Sequence, residues 1–145
     1  CFVAHFPDYY MPWGVTLSED EIGSVSPEMF ATCFRPYLVK LAERYGGLGI
    51  HCCAQARHHW AALRTIPGLR VLNICQPREV AVEAYCYFAD TCVQMHGALA
   101  DSLPASWPGL YPPEARVVLE INVASDRREA ERTAAALRHL LCNSR

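Results

Sequence analysis

Short apolar segments begin near residues 48, 70, 93 and 117 of this 145-residue chain, at intervals of 22, 23 and 24 residues. A helical pattern follows most of them. That period holds one strand, one helix and two short connections. Strands and helices alternating in this way imply a parallel sheet with helices packed outside it, joined by right-handed crossovers. No glycine-rich phosphate motif follows any of the strands, so a dinucleotide-binding fold has no support.

The segments carry their own signals. Residues 1–23 read as a loop-rich entry with one short strand around 14–17, and residues 24–145 as successive βα units. Ser26 suits a helix N-cap, Pro27 the first helical position and Glu28 the positive helix end. Apolar residues then recur at Met29, Phe30, Cys33, Phe34, Tyr37, Leu38, Leu41 and Tyr45, a stripe at helical spacing. Pro36 predicts a kink within it, and Gly46-Gly47 its end. Strands are predicted at 48–53, 70–75, about 93–98 and 117–123. Helices are predicted over about 57–66 and 77–91. The last helix opens with a capping box, Asp126 with Glu129 three residues on, and Ala130, Ala134, Leu137 and Leu141 form its apolar stripe.

Composition narrows the function classes. Thirteen Lys+Arg against fifteen Asp+Glu leave a formal net charge of −2, with no basic run suited to a nucleic-acid groove. No window of about 18 apolar residues is present, so no membrane span is expected. Apolar residues make up 52%, which excludes intrinsic disorder. Eight cysteines raise a disulfide scaffold as an option. The long apolar pattern argues instead for thiols in a reducing, cytoplasmic setting. Cys33, Cys52, Cys53, Cys75 and Cys86 fall within helix or strand patterns and are expected to be buried and free.

The densest chemical cluster is His51-Cys52-Cys53. On a strand, His51 and Cys53 share one face and Cys52 takes the other. That offers an imidazole and a thiolate side by side, half of a zinc site. A hydrogen-bonded histidine beside two buried thiols is the plainer alternative. His58 and His59 open the next helix, and His58 is a catalytic candidate if it faces the C-terminal rim. Glu120 interrupts the strongest strand; a buried carboxylate needs a cation or a wet pocket, so Glu120 is the other catalytic candidate. Asp20 lies in the acidic run 18–21 and reads as part of a solvated loop.

Ser26-Pro27-Glu28-Met29-Phe30, Arg35-Pro36-Tyr37-Leu38, Leu41 to Gly47, and His51-Cys52-Cys53 together resemble the uroporphyrinogen decarboxylase superfamily. Ile66-Pro67-Gly68-Leu69-Arg70 and Leu119 to Val123 resemble its back half. The resemblance implies a (β/α)8 barrel with parallel strands and outer helices. Such a barrel typically takes about 250 residues, so the chain is expected to be about its C-terminal half, lacking an N-terminal half. It also implies one of two chemistries. Methyltransferases of the superfamily hold zinc with His-x-Cys and a later cysteine, and take a methyl group from a corrinoid protein to a thiol. The decarboxylases act on a porphyrinogen without a cofactor. His51 and Cys53 match the methyltransferase pair as metal ligands. The third ligand is not identified, because no cysteine stands near 122–125, and Glu120 or a residue of the N-terminal half is expected to complete the shell; Ala54 also replaces the glycine that commonly follows the second ligand. A small-molecule substrate or a corrinoid protein is the expected partner. A barrel that kept its fold and lost its site is the non-catalytic alternative.

Overall fold

The computed structural model describes residues 2–3, 11–97, 109, 111–120 and 126–143. Six strands form one sheet: β1 (Phe2–Val3), β2 (Val15–Ser18), β3 (Leu48–Cys52), β4 (Leu69–Ile74), β5 (Val93–Gly97) and β6 (Val117–Glu120). Every adjacent pair is parallel, and spatial order equals chain order. The chain is therefore an α/β protein whose sheet advances in one direction without reversing, an arrangement compatible with a partial barrel. A doubly wound sheet reverses its strand order at a switch point; none exists among the described strands.

The alternation of each strand decides where the core sits. Val15, Leu48, Ile50, Cys52, Leu72 and Ile74 turn to one face and join a buried cluster with helix residues Phe30, Leu38, Ala42, Trp60, Leu63, Ala84 and Phe88. The other face carries Thr16, Ser18, Gly49, His51, Asn73 and Met95, one position out of phase along each strand. A register shift between Leu48 and Gly49 leaves Arg70 unpaired, which lets Leu69 and Leu72 both reach the helical side.

The helix after β2 begins where Ser26 predicts. Its Oγ accepts from the Met29 N–H at 3.2 Å, and α1 (Pro27–Met29) follows. The expected kink at Pro36 takes a particular form. A π-helical turn over Phe30–Phe34 leads into α2 (Arg35–Tyr45), with the Arg35 N–H donating to the Phe30 carbonyl. Proline has no N–H and its ring crowds the preceding turn, and one inserted residue absorbs both defects. The stripe narrows accordingly. Phe30, Leu38 and Ala42 are buried, whereas Met29 and Tyr37 are 49% and 62% exposed. Gly46 ends α2 at φ 80°, a left-handed cap that a Cβ would strain.

The remaining units are shorter. A 3-10 turn at Arg57–His59 runs into α3 (Trp60–Arg64), α4 spans Arg78–Tyr87, and α5 spans Arg127–Asn143. Asp126 caps α5 as expected, its Oδ1 accepting from the Glu129 N–H at 2.8 Å. Arg64 ties α3 to the end of α4, donating to both Asp90 carboxylate oxygens and to the Tyr87 carbonyl. The predicted strand at 117–123 is described only to Glu120; residues 121–125 lie outside the described residues. No helix among the described residues is long and apolar enough to cross a membrane.

The cysteines correct one expectation. Six have described side chains and all six are free, but only Cys52 and Cys92 among them are buried; Cys33, Cys53, Cys75 and Cys86 are exposed. Cys33 shares the outward side of its helix with Met29 and Tyr37. Cys53 and Cys75 each stand one residue past the end of a strand, in phase with His51 and Asn73 on the face turned away from the helical layer.

Candidate metal centre

Parallel strands bring all their C-terminal ends to one edge of the sheet, and a cluster of three potential metal donors among the described residues lies there. The cluster grows out of the β2–β3 ladder. The pairing ends at Ser18 opposite His51, and the Glu19 N–H then donates to the His51 carbonyl at 2.9 Å. One step further, the Cys53 N–H finds no backbone carbonyl. It donates instead to the Asp20 carboxylate, N to Oδ1 2.6 Å. The side chain of Asp20 thus stands in for the next rung of the ladder, and Ser18 Oγ donates to its other oxygen at 3.3 Å.

Asp20, His51 and Cys53 each offer one donor atom, and the three atoms lie within 4.8 Å of one another. His51 Nε2 is 4.0 Å from Asp20 Oδ1. Bond lengths of about 2.0–2.3 Å place the donors of a tetrahedral zinc about 3.3–3.8 Å apart. The group therefore fits a small divalent ion after a contraction of about 1.5 Å at most, and its nitrogen, sulfur and oxygen set suits zinc. Three protein donors leave one tetrahedral position open, the arrangement of catalytic zinc sites.

A second polar pair orients the imidazole. Asn73, opposite His51 on β4, donates from Nδ2 to the Met95 carbonyl at 3.0 Å. Its Oδ1 therefore faces His51 Nδ1 at 2.5 Å, so Nδ1 donates. The lone pair of the neutral ring then sits on Nε2, the atom nearer Asp20. A partner on the far ring nitrogen that fixes the tautomer is the usual support of a metal-binding histidine. Both residues are buried, His51 at 6% and Asn73 at 4% exposed.

The loop that delivers Asp20 is held from below. His59, fully buried, donates from Nε2 to the carbonyls of Ile22 (2.9 Å) and Val25 (3.1 Å), its ring against Phe30. Burial, then the neighbouring His58, hold the His59 pKa below the usual imidazole value. Gly23 packs so closely on the segment after Cys53 that an added Cβ would lie 2.5 Å from Ala54 Cβ. The alanine after the second His-x-Cys residue is thus accommodated by a glycine across the loop.

Charge in the cluster is graded. Burial would raise the Asp20 carboxyl, but hydrogen bonds from the Cys53 backbone and thiol, with His51 nearby, outweigh it and hold the pKa below the ordinary value. The Cys53 thiol is pushed up, first by its hydrogen bond to Asp20, then by burial and the carboxylate charge. Glu19 is pushed up to about 7 by burial and by its neighbours Glu21 and Asp20.

Of the residues expected from the sequence, His51 and Cys53 meet as the alternation requires. Asp20 is the third donor, although its acidic run reads as a solvated loop. Glu120, expected as a catalytic residue, stands on β6. Its strand lies three positions from β3, about 14 Å across the sheet at backbone level, and only its backbone is described. His58 turns elsewhere: its Nε2 lies 3.1 Å from the Val25 carbonyl and its ring packs on His59. It makes no hydrogen bond to the cluster among the described residues. Asn73 carries no signal of its own in the sequence, beyond being a polar residue inside an apolar strand.

Comparison with protein-family models, with curated proteins and with solved structures finds no match.

Proposed function

We propose that this chain is part of a (β/α)8-barrel enzyme of the uroporphyrinogen decarboxylase type, and that it serves zinc-dependent methyl transfer to a thiol. The observation that carries the reading is the convergence of Asp20, His51 and Cys53 at the C-terminal edge, with Asn73 setting the imidazole tautomer. Active sites of parallel barrels lie at that edge. Zinc bound there would supply Lewis acidity that keeps a thiol deprotonated and nucleophilic at neutral pH.

The protein's own contribution is positional. Asn73 holds His51 with Nε2 toward the site. The Cys53 N–H holds the Asp20 carboxylate even while the Cys53 thiol is protonated. Cys53 is exposed, so its proton leaves to solvent as the metal enters. A donor set with one carboxylate and one thiolate beside a neutral imidazole neutralises the dication, which favours a neutral or anionic fourth partner such as a substrate thiol.

Zinc titration of the reduced chain tests the site. One zinc per chain is expected, with the stoichiometry lost in a His51→Ala/Cys53→Ala double variant; an unchanged stoichiometry in that variant defeats the assignment. Methyl transfer is tested with zinc-loaded chain, methylcobalamin and a small thiol, followed by the loss of the methylcobalamin absorbance. Demethylation that requires both zinc and Cys53 is expected. Activity on a carboxylated substrate that persists in chelator would instead favour the cofactor-free decarboxylase.

A further inference from the structure

We propose that Cys53 and Cys75 form a reversible disulfide that withdraws Cys53 from the Asp20–His51–Cys53 group, so that thiol oxidation controls the site. The consequence for metal rests on the zinc reading above; the disulfide itself rests on strand register. β3 and β4 are paired through Cys52 opposite Ile74. The pairing continues past the strand ends. The Cys75 N–H donates to the Cys52 carbonyl at 3.0 Å, and the Gln76 side-chain amide donates to the Cys53 carbonyl. One residue beyond the last pair, Cys53 therefore stands beside Cys75. Neighbouring strands lie about 4.7–4.9 Å apart, inside the Cα separation of about 4.4–6.8 Å that a disulfide spans.

Direction and access agree. Alternation sends Cys53 and Cys75 to the face that His51 and Asn73 share, and both are exposed. Among the cysteines whose side chains are described, the alternative partners are worse placed. Cys52 points into the core and Cys92 is buried, while Cys33 and Cys86 belong to the helical layer. Cys53 thus has two options on either side of its own strand. Toward β2 it joins Asp20 and His51; toward β4 it joins Cys75. Rotation of one exposed side chain exchanges them.

The oxidant is a low-molecular-weight disulfide of the glutathione class. One thiolate of the pair attacks a sulfur of that disulfide, the S–S bond breaks, and one glutathione leaves as thiolate. The second protein thiolate then attacks the mixed disulfide, forms the Cys53–Cys75 bond and expels the second glutathione. Two protein thiols are oxidised and one glutathione disulfide is reduced to two thiols, with their two protons transferred to the leaving thiolates.

The test equilibrates the chain in glutathione buffers of stepped ratio, then alkylates it and maps the peptides, with zinc followed by a chromophoric chelator. A Cys53–Cys75 disulfide is expected, accompanied by more than about tenfold loss of zinc affinity and restored by dithiothreitol. Cys75→Ser should keep its zinc at the ratio that empties the unaltered chain. Cys53 found unpaired or joined to another cysteine at every ratio overturns the proposal. So does Cys75→Ser losing zinc at the same ratio as the unaltered chain. A reduced chain that binds no zinc overturns the metal reading alone, because the disulfide is scored by mapping metal-free protein.

Discussion

At the scale of single residues, the site turns on which atoms hold protons. Asn73 keeps the His51 proton on Nδ1, so replacing it should act on metal affinity without touching a ligand. Asn73→Asp preserves the acceptor and should retain zinc binding within a few-fold. Asn73→Leu removes the acceptor and should cost about 10–100-fold in zinc affinity, measured by chelator competition. The raised Cys53 pKa adds a pH dependence of definite sign. Its thiol is protonated in the metal-free protein at neutral pH and must lose that proton on binding, so affinity rises with pH. A slope near one, about tenfold per pH unit, is expected between pH 7 and 8.5. A flat profile would mean that Cys53 is not a ligand. Half of this arrangement is legible in the sequence. A strand bearing His-x-Cys must put both side chains on one face, whatever surrounds it. Asp20 is not legible, because it lies 31 positions from His51 in another βα unit and meets it only through the β2–β3 crossover.

Among the elements, the helix after β2 shows where periodicity runs out. Spacing alone puts Met29, Cys33 and Tyr37 on the same stripe as Phe30 and Leu38. The π turn at Phe30–Phe34 inserts a residue; Phe30, Leu38 and Ala42 are the buried line, Phe34, Leu41 and Tyr45 are partly buried against the same core, and Met29 and Tyr37 turn outward. A proline inside a helix warns of such a defect but not of its kind. The ends of the helix are plainer in the sequence, since Ser26 and Gly46 act through chemistry within one turn. Gly46→Ala places a Cβ in left-handed backbone and should destabilise the fold by about 1–2 kcal/mol, read from denaturant unfolding. The same change leaves Asp20 and His51 in their own elements, so zinc affinity in the folded fraction should be unchanged.

At the level of the whole molecule, strand order is what a regular strand–helix period allows but does not dictate. The period speaks for a parallel sheet; only the structure shows that the sheet advances from β1 to β6 in chain order. β1 and β6 are the edges of the described sheet, and Val118 on β6 is 49% exposed. Parallel edges with unpaired backbone attract further strands, so the isolated chain should self-associate. Sedimentation velocity should show a weight-average mass that rises with concentration over the micromolar range. A single monomer boundary throughout that range would count against open edges.

The anchoring of Asp20 by a backbone amide has a consequence for how such a site can change its chemistry. Any residue but proline at position 53 still brings its N–H to the carboxylate, so the loop keeps its place when the side chain is exchanged. Identity at position 53 is thereby uncoupled from the architecture around it. A carboxylate there would move the donor set from soft toward hard, and with it the preference from zinc toward manganese or magnesium. On the proposed zinc reading, one codon would then change the metal while the scaffold stays as it is.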